Sequence, residues 1–156
     1  NHTSRFMEPE LKSKNIQFIV DMPPQPVLIE GNLDLLQQVF QNLVSNSIKF
    51  CSKDPRIEVV AREEEHQIVI YFSDNGVGIE PEALPNVFQK FYRARSQASH
   101  RPGLGIGLFL VHKLIELHRG SISVTSEVGK GTMFVIRIPK STIPAPVSYA
   151  SPNINA

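Results

Sequence analysis

Apolar residues recur at helical spacing in two long segments of the chain. In residues 33–50 they advance by three or four positions, as on one face of an α-helix: Leu36, Val39, Phe40, Leu43, Val44 and Ile48. Residues 104–118 repeat the pattern with Leu108, Val111, Leu114, Ile115 and Leu117. Asn32 precedes the first segment and is predicted to cap that helix. A shorter helix is predicted over residues 86–94, with an apolar side formed by Val87, Phe88 and Phe91.

Alternating apolar and polar residues predict short β-strands between the helices. The predicted strands are residues 15–21, 27–30, 56–62, 67–73, 121–126 and 132–139. The third and fourth strands form a predicted hairpin, and the turn Gly129-Lys130-Gly131 joins the last two. Groups of strands that alternate with helices predict an α+β fold, with helices covering one face of a sheet.

Composition narrows the class of protein without naming a function. The chain has 156 residues, is 41% hydrophobic and 20% charged, and carries a net charge of +1. This charge predicts no strong attraction to nucleic acid or to acidic membranes. The single Cys51 excludes an internal disulfide framework and fits a reducing compartment. Residues 1–140 are expected to form one domain, and residues 141–156 are expected to be a disordered tail or linker.

The run Asp74-Asn75-Gly76-Val77-Gly78-Ile79 follows an apolar strand and indicates a base-binding site. A carboxylate only accepts hydrogen bonds, so Asp74 would favour adenine, whose exocyclic amino group is a donor, over guanine. The two glycines allow the backbone to approach a ring closely. A simple Asp-Asn-Gly turn between strands would have the same sequence, and this run taken alone favours that simpler interpretation.

The first predicted helix carries Asn42, Asn46 and Lys49 on one face, since they are spaced i, i+4 and i+7. Amide oxygens suit Mg²⁺, and a lysine supplies a point charge for phosphate. Phe50 ends the segment and could lie flat against a base. The alternative is a solvated helix face beside a core phenylalanine, which these residues alone favour.

A second glycine run, Gly103-Leu104-Gly105-Ile106-Gly107-Leu108, opens the second predicted helix. Free N–H groups and the dipole at a helix start favour an anion. The spacing is neither that of a Walker loop nor that of a dinucleotide fingerprint. Glycines that serve tight packing are the alternative. The polar residues 95–102 before this run are expected to form a mobile lid.

In this order and spacing, the motifs resemble the catalytic and ATP-binding domain of sensor histidine kinases. That family belongs to a superfamily shared with gyrase-type, chaperone-type and mismatch-repair ATPases. The resemblance runs from about Ile16 to Pro139. Its five boxes are residues 41–50, 74–79, 87–93, 102–108 and 129–132. It implies a two-layer α/β sandwich of the Bergerat type, with a mixed, mostly antiparallel sheet covered on one face by helices.

The resemblance also implies roles for individual residues, with ATP and Mg²⁺ as cofactors. Asn46 would ligate Mg²⁺, Phe50 would contact adenine and Asp74 would read it. Catalytic roles would fall to Asn42, Lys49 and Arg93. The remaining expected nucleotide-binding residues are Gly76, Gly78, Ile79, Tyr92, Gly103, Leu104, Gly105, Ile106, Gly107, Leu108 and Thr132.

Two departures from the family pattern bear on the chemistry. Leu104 stands where a small hydroxyl residue is usual, which removes one possible phosphate hydrogen bond. Asn42 occupies the place where the related ATPases carry a glutamate general base. An amide cannot take a proton from water, so transfer of phosphate to another protein is favoured over hydrolysis.

None of the five histidines has the acidic neighbour that follows the family's phosphoacceptor, and His112 and His118 are interpreted as structural. The chain is therefore interpreted as a fragment that donates the γ-phosphoryl group of ATP to a histidine on its own upstream dimerisation hairpin. The domain is expected to be cytoplasmic, within a homodimeric two-component kinase with or without a membrane anchor, and its expected partner is a response-regulator receiver domain. The fragment itself is expected to contact neither nucleic acid nor membrane. The alternatives are a related serine kinase or ATPase, and a degenerate interaction module.

Overall fold

The computed structural model describes residues 11–51, 54–93 and 104–142. Its strands are β1 (Gln17–Asp21), β2 (Arg56–Glu63), β3 (Gln67–Asp74), β4 (Ser121–Glu127) and β5 (Gly131–Pro139). Its long helices are α1 (Leu33–Lys49) and α2 (Gly107–Leu117), with a short 3₁₀ helix at Leu84–Asn86, and residues 11–13 are also helical.

The five strands form one sheet in the order β1-β2-β3-β5-β4. β1 runs parallel to β2, whereas the other three pairs are antiparallel. The mixed, mostly antiparallel sheet predicted from the sequence is thus confirmed, as is the β2–β3 hairpin. At one end of the central strand β3, Asp74 lies between Ile57 of β2 and Thr132 of β5.

The hydrophobic core lies between the sheet and the two helices. In β2 the alternate residues Ile57, Val59 and Ala61 are buried, and Phe72 of β3 and Ile136 of β5 are fully enclosed. The apolar stripe of α1 faces the same cluster through Val39 and Leu43, both fully buried. One face of each element therefore supplies the core, as the two periodicities predicted. The two-layer arrangement of helices on a sheet is confirmed.

The two helices pack side by side in opposite directions. Gly107, at the start of α2, lies beside Asn42 and Asn46 in the C-terminal half of α1. His118, just after α2, lies beside Asn32 at the start of α1. The Asn32 side chain accepts hydrogen bonds from the N–H groups of residues 34 and 35, as predicted for a helix cap. This antiparallel pairing brings the start of α2 to the amide-bearing face of α1.

Two predicted elements are absent from the described part of the chain. Residues 27–30 are not a strand, because only an isolated bridge joins Ile29 to Lys140. The prolines that precede this segment have no N–H to donate to a ladder. Residues 86–93 are not an α-helix: the short 3₁₀ helix gives way to turns, and Phe91 has a left-handed φ of 66°. The side chain of Phe91 is exposed and does not join the core.

The second long helix is shorter than predicted. α2 begins at Gly107 and not at Leu104, since Gly105 has a φ of 69° that cannot belong to a right-handed helix. At the other end, Leu117 is 72% exposed although the periodicity placed it in the core. Val111, Leu114 and Ile115 are buried as predicted.

Candidate nucleotide site

The carboxylate of Asp74 is held by two hydrogen bonds from different parts of the fold. The backbone N–H of Gly76 donates to Oδ1 at 2.9 Å, within the turn that follows β3. The hydroxyl of Ser47, in α1, donates to Oδ2 at 2.8 Å. Each carboxylate oxygen can accept a further hydrogen bond, so the group keeps acceptor capacity for a ligand. Sequence reasoning missed Ser47, because nothing in the helix pattern marks a contact with a residue 27 positions away.

The turn after Asp74 is tied to both neighbouring elements. Its Val77 N–H donates to the carbonyl of Phe50 at 3.1 Å, and the Val77 carbonyl accepts from the N–H of Gly129 at 2.8 Å. Gly78 has a φ of 75°, and a side chain there would overlap the backbone of Glu127. Glycine is thus required by close backbone approach between the turn and the β4–β5 hairpin.

A pocket of about 200 Å³ opens between this turn, α1 and the start of α2. It brings together most of the residues that the sequence predicted for the nucleotide: Asn46, Lys49, Phe50, Asp74, Gly78, Ile79, Tyr92, Arg93, Leu104, Gly105, Ile106, Gly107, Leu108 and Thr132. Three apolar residues that were not predicted also line it, namely Val77, Val87 and Phe134. They supply the apolar walls that a flat ring requires.

Two described residues of the predicted site, Gly76 and Asn42, lie outside this lining. Gly76 is buried behind the pocket, where an added Cβ would come 2.6 Å from the Phe50 carbonyl oxygen and 2.8 Å from Oδ1 of Asp74. Asn42 lies one helical turn before Asn46 in α1. Gly103 falls outside the described residues, as do residues 95–102 of the predicted lid.

The amides of α1 offer oxygen donors suited to Mg²⁺. Nδ2 of Asn42 donates to the carbonyl of Gln38 at 2.8 Å, which turns its Oδ1 toward Gly107. Asn46, one turn on, lines the pocket. No cluster of three or more His, Cys, Asp or Glu residues suited to a metal occurs in the described segments. Mg²⁺ can be held by one or two protein oxygens together with phosphate oxygens and water, so this donor set fits that ion.

The start of α2 faces the same pocket without a side-chain cap. Its N-cap position, Ile106, makes no side-chain capping hydrogen bond. Gly107 and Leu108, in the first turn, both line the pocket. The N–H groups of a first turn have no partner within their helix and favour an anion. The helix start for which an anion site was predicted thus faces the pocket, three residues later than the pattern placed it.

Described residues on either side of positions 94–103 are in backbone contact. The Phe91 N–H donates to the carbonyl of Gly105 at 2.9 Å. A Cβ at Gly105 would come 2.6 Å from the carbonyl oxygen of Tyr92. This close pairing holds Tyr92 and Arg93 at the pocket, although they follow no helix.

Among the described residues, one carboxylate, Asp74, and two cations, Lys49 and Arg93, line the pocket. Nζ of Lys49 lies 5.7 Å from the centroid of the Phe50 ring. Away from the pocket, Lys113 and Glu116 form an ion pair on the exposed side of α2. There a hydrogen bond from Lys113 lowers the pKa of Glu116. The pocket thus pairs a fixed hydrogen-bond acceptor with groups that attract a polyanion.

The fold and this pocket define an ATP-binding domain of the Bergerat type. Residues 31–142 match the family described as histidine kinase-, DNA gyrase B- and HSP90-like ATPases, and the chain belongs to that family. The predicted resemblance to the catalytic domain of sensor histidine kinases is confirmed. The sensor protein SrrB of Staphylococcus aureus is 39% identical over 110 residues. That alignment covers 70% of this chain and 19% of SrrB, so the chain spans about a fifth of that relative.

Solved histidine kinases share the fold. The catalytic domain of ThkA in a nucleotide-free form superposes with a TM-score of 0.77 at 23% identity, covering 89% of this chain and 90% of that one. ThkA in complex with the response regulator TrrA gives a TM-score of 0.73 at 22% identity, with 90% and 39% coverage. Full-length ShkA in complex with AMPPNP gives a TM-score of 0.78 at 24% identity, with 94% and 30% coverage.

Among the described residues of this chain, no helix is long and apolar enough to span a membrane.

Proposed function

We propose that this domain binds Mg²⁺–ATP and donates the γ-phosphoryl group to a histidine on a separate dimerisation hairpin. It would do so as the kinase module of a two-component signalling system. The proposal rests on the pocket. It combines the Asp74 carboxylate, which accepts two hydrogen bonds from the protein, with the Asn46 amide and the uncapped start of α2. The AMPPNP complex of ShkA supports an adenine nucleotide as the ligand.

Each part of the pocket suits one part of ATP. Asp74 would accept a hydrogen bond from the adenine amino group, with Phe50 and Phe134 beside the ring. The N–H groups at Gly107 and Leu108 would bind phosphate oxygens. Lys49 and Arg93 would neutralise the charge that the phosphates carry into the pocket. Asn46, supported by Asn42, would hold Mg²⁺, which draws charge from the phosphates when bound.

The transfer step itself requires positioning more than acid–base chemistry. The attacking imidazole nitrogen uses its own lone pair to form the P–N bond, while the bond from the γ-phosphorus to the β–γ bridging oxygen breaks and ADP leaves. The proton on the other ring nitrogen passes to solvent. No side chain of this domain has to accept a proton, which is consistent with an amide at position 42. Hydrolysis, by contrast, would need a base to activate water.

The partners belong to the same proposal. The acceptor hairpin would lie elsewhere in a homodimeric parent protein, and the phosphoryl group would pass on to a receiver domain. The structure of ThkA with the response regulator TrrA supports that kind of partner.

Radiolabelled ATP tests the proposal directly. The 156-residue chain alone should bind ATP but acquire no label, since its histidines lack the acceptor context. Added to the acceptor hairpin of its parent protein, it should label the hairpin, slowly because the two are not tethered. The label should be acid-labile and base-stable, as a phosphohistidine is. Strong self-labelling of the chain, or rapid ATP hydrolysis without the hairpin, would contradict the proposal.

A further inference from the structure

The Ser47 hydroxyl makes a tertiary hydrogen bond where a helical serine usually makes a local one. A serine inside a helix commonly bonds back to the carbonyl four residues earlier. Within the described residues, the hydroxyl of Ser47 donates to Oδ2 of Asp74 at 2.8 Å. Ser47 is only 3% exposed. The hydroxyl is thus buried and bonded to a carboxylate on another element of the fold.

Ser47 reaches Asp74 from the side opposite the pocket. It does not line the pocket that Asp74, Asn46 and Lys49 share. It lines a small recess behind the carboxylate, together with Cys51 and Gly76. Ser47 therefore contacts Asp74 but does not line the pocket proposed to hold the nucleotide.

The two donors together fix the plane of the carboxylate. Gly76 N–H holds Oδ1 from the turn, and Ser47 holds Oδ2 from α1. Rotation about the Cβ–Cγ bond would break both hydrogen bonds at once. With Ser47 removed, Oδ2 keeps no described donor, and the carboxylate is free to turn about its remaining bond to Gly76.

We propose that Ser47 is a positioning residue for base recognition: its hydrogen bond orients the Asp74 carboxylate toward the 6-amino group of adenine. The inference rests on the proposed nucleotide function and extends it to a residue that does not contact the ligand. Its consequence is energetic coupling between the Ser47 hydroxyl and one functional group of the base.

A four-way binding comparison isolates that coupling. Affinities of the wild-type chain and of Ser47→Ala are measured by calorimetry for ATP and for purine riboside 5′-triphosphate, which lacks only the 6-amino group. The preference for ATP should fall about fivefold or more in Ser47→Ala, in the range of couplings between residues in one hydrogen-bonded network. A general loss of structure would weaken the binding of both nucleotides by the same factor and leave the preference for ATP unchanged. An unchanged preference would overturn the inference.

Three variants sharpen the result. Ser45→Ala removes an exposed serine two positions away on the same helix and should leave the preference unchanged. Ser47→Thr keeps the hydroxyl and should retain most of the preference. If Ser47→Ala unfolds, the comparison is repeated with Ser47→Cys, whose thiol is a weak donor and should also lower the preference. An unchanged preference in Ser47→Cys would likewise overturn the inference.

The same measurements separate this inference from the proposed function. A wild-type chain that binds both nucleotides equally well would contradict Asp74 as the adenine reader, and with it the role of Ser47. A wild-type preference for ATP that survives in every Ser47 variant would contradict Ser47 alone.

Discussion

The ring of His118 joins the two helices through Asn32. Its Nε2 accepts a hydrogen bond from the Asn32 N–H at 3.1 Å, and its Nδ1 lies 2.6 Å from the Leu114 carbonyl oxygen. A carbonyl can only accept and a backbone N–H can only donate, so these two contacts require the hydrogen on Nδ1 and a lone pair on Nε2. His118 is 7% exposed, which agrees with its interpretation as a structural histidine.

Replacing His118 with leucine is expected to destabilise the domain. The Asn32 N–H and the Leu114 carbonyl would lose a buried partner, at a cost of about 1–3 kcal/mol in the free energy of unfolding. Urea denaturation measures that change. His66→Leu is the matched control, because the side chain of His66 is 87% exposed. Equal stability of the two variants would show that the His118 contacts contribute nothing.

Asp74→Asn should remove ATP binding while the fold persists. The amide can present a donor to the adenine amino group, and loss of a hydrogen bond to a charged acceptor costs about 1.5–3 kcal/mol. Calorimetry measures the affinity, and circular dichroism checks the fold. Asp54→Asn, at an exposed position in the loop before β2, should bind ATP like the wild type. The wild type should also prefer ATP to GTP, and equal affinities would remove the adenine-reading role.

Asn46→Ala should weaken ATP binding more in the presence of Mg²⁺ than in its absence. A metal ligand contributes only when the metal is bound, whereas a residue that shapes the pocket contributes in both conditions. Titrations with ATP in Mg²⁺ and in EDTA make the comparison. The control is Gln41→Ala, an exposed amide on the same helix. If Asn46→Ala lowers affinity by the same factor in both buffers, the metal site lies elsewhere.

Two glycines of the β4–β5 turn should differ sharply in their tolerance of alanine. A side chain at Gly131 would overlap the backbone of Asp74, so Gly131→Ala should cost at least about 2 kcal/mol of stability and disturb ATP binding. Gly129 has a φ of 79° but nothing within 4 Å of an added Cβ. Gly129→Ala should therefore lower the free energy of unfolding only by the strain of a left-handed φ in a residue with a Cβ, about 1 kcal/mol. Thermal unfolding and ATP titration of both variants test the ranking, and similar losses would argue against the close approach of the turn to β3.

Local pattern was sufficient for most of the secondary structure, whereas the roles of the candidate site residues came from the family resemblance. The helical spacing of α1 and the alternation in β2 and β3 depend only on near neighbours in the chain. They correctly placed the faces that pack in the core. Asn32 was identifiable as a cap for the same reason, since its hydrogen bonds span two and three residues.

Contacts between distant segments were decided by the tertiary structure alone. Ser47 meets Asp74 only because α1 packs on the end of β3, and Phe134 reaches the pocket only because β5 pairs with β3. The positive φ angles of Phe91 and Gly105 are incompatible with a right-handed helix. Residues 86–93 therefore form no α-helix and α2 begins three residues later than predicted, although the apolar spacing runs through both segments. Periodicity reports which face of a segment is apolar. The residues that such a face meets depend on strand order and helix packing, which local spacing does not contain.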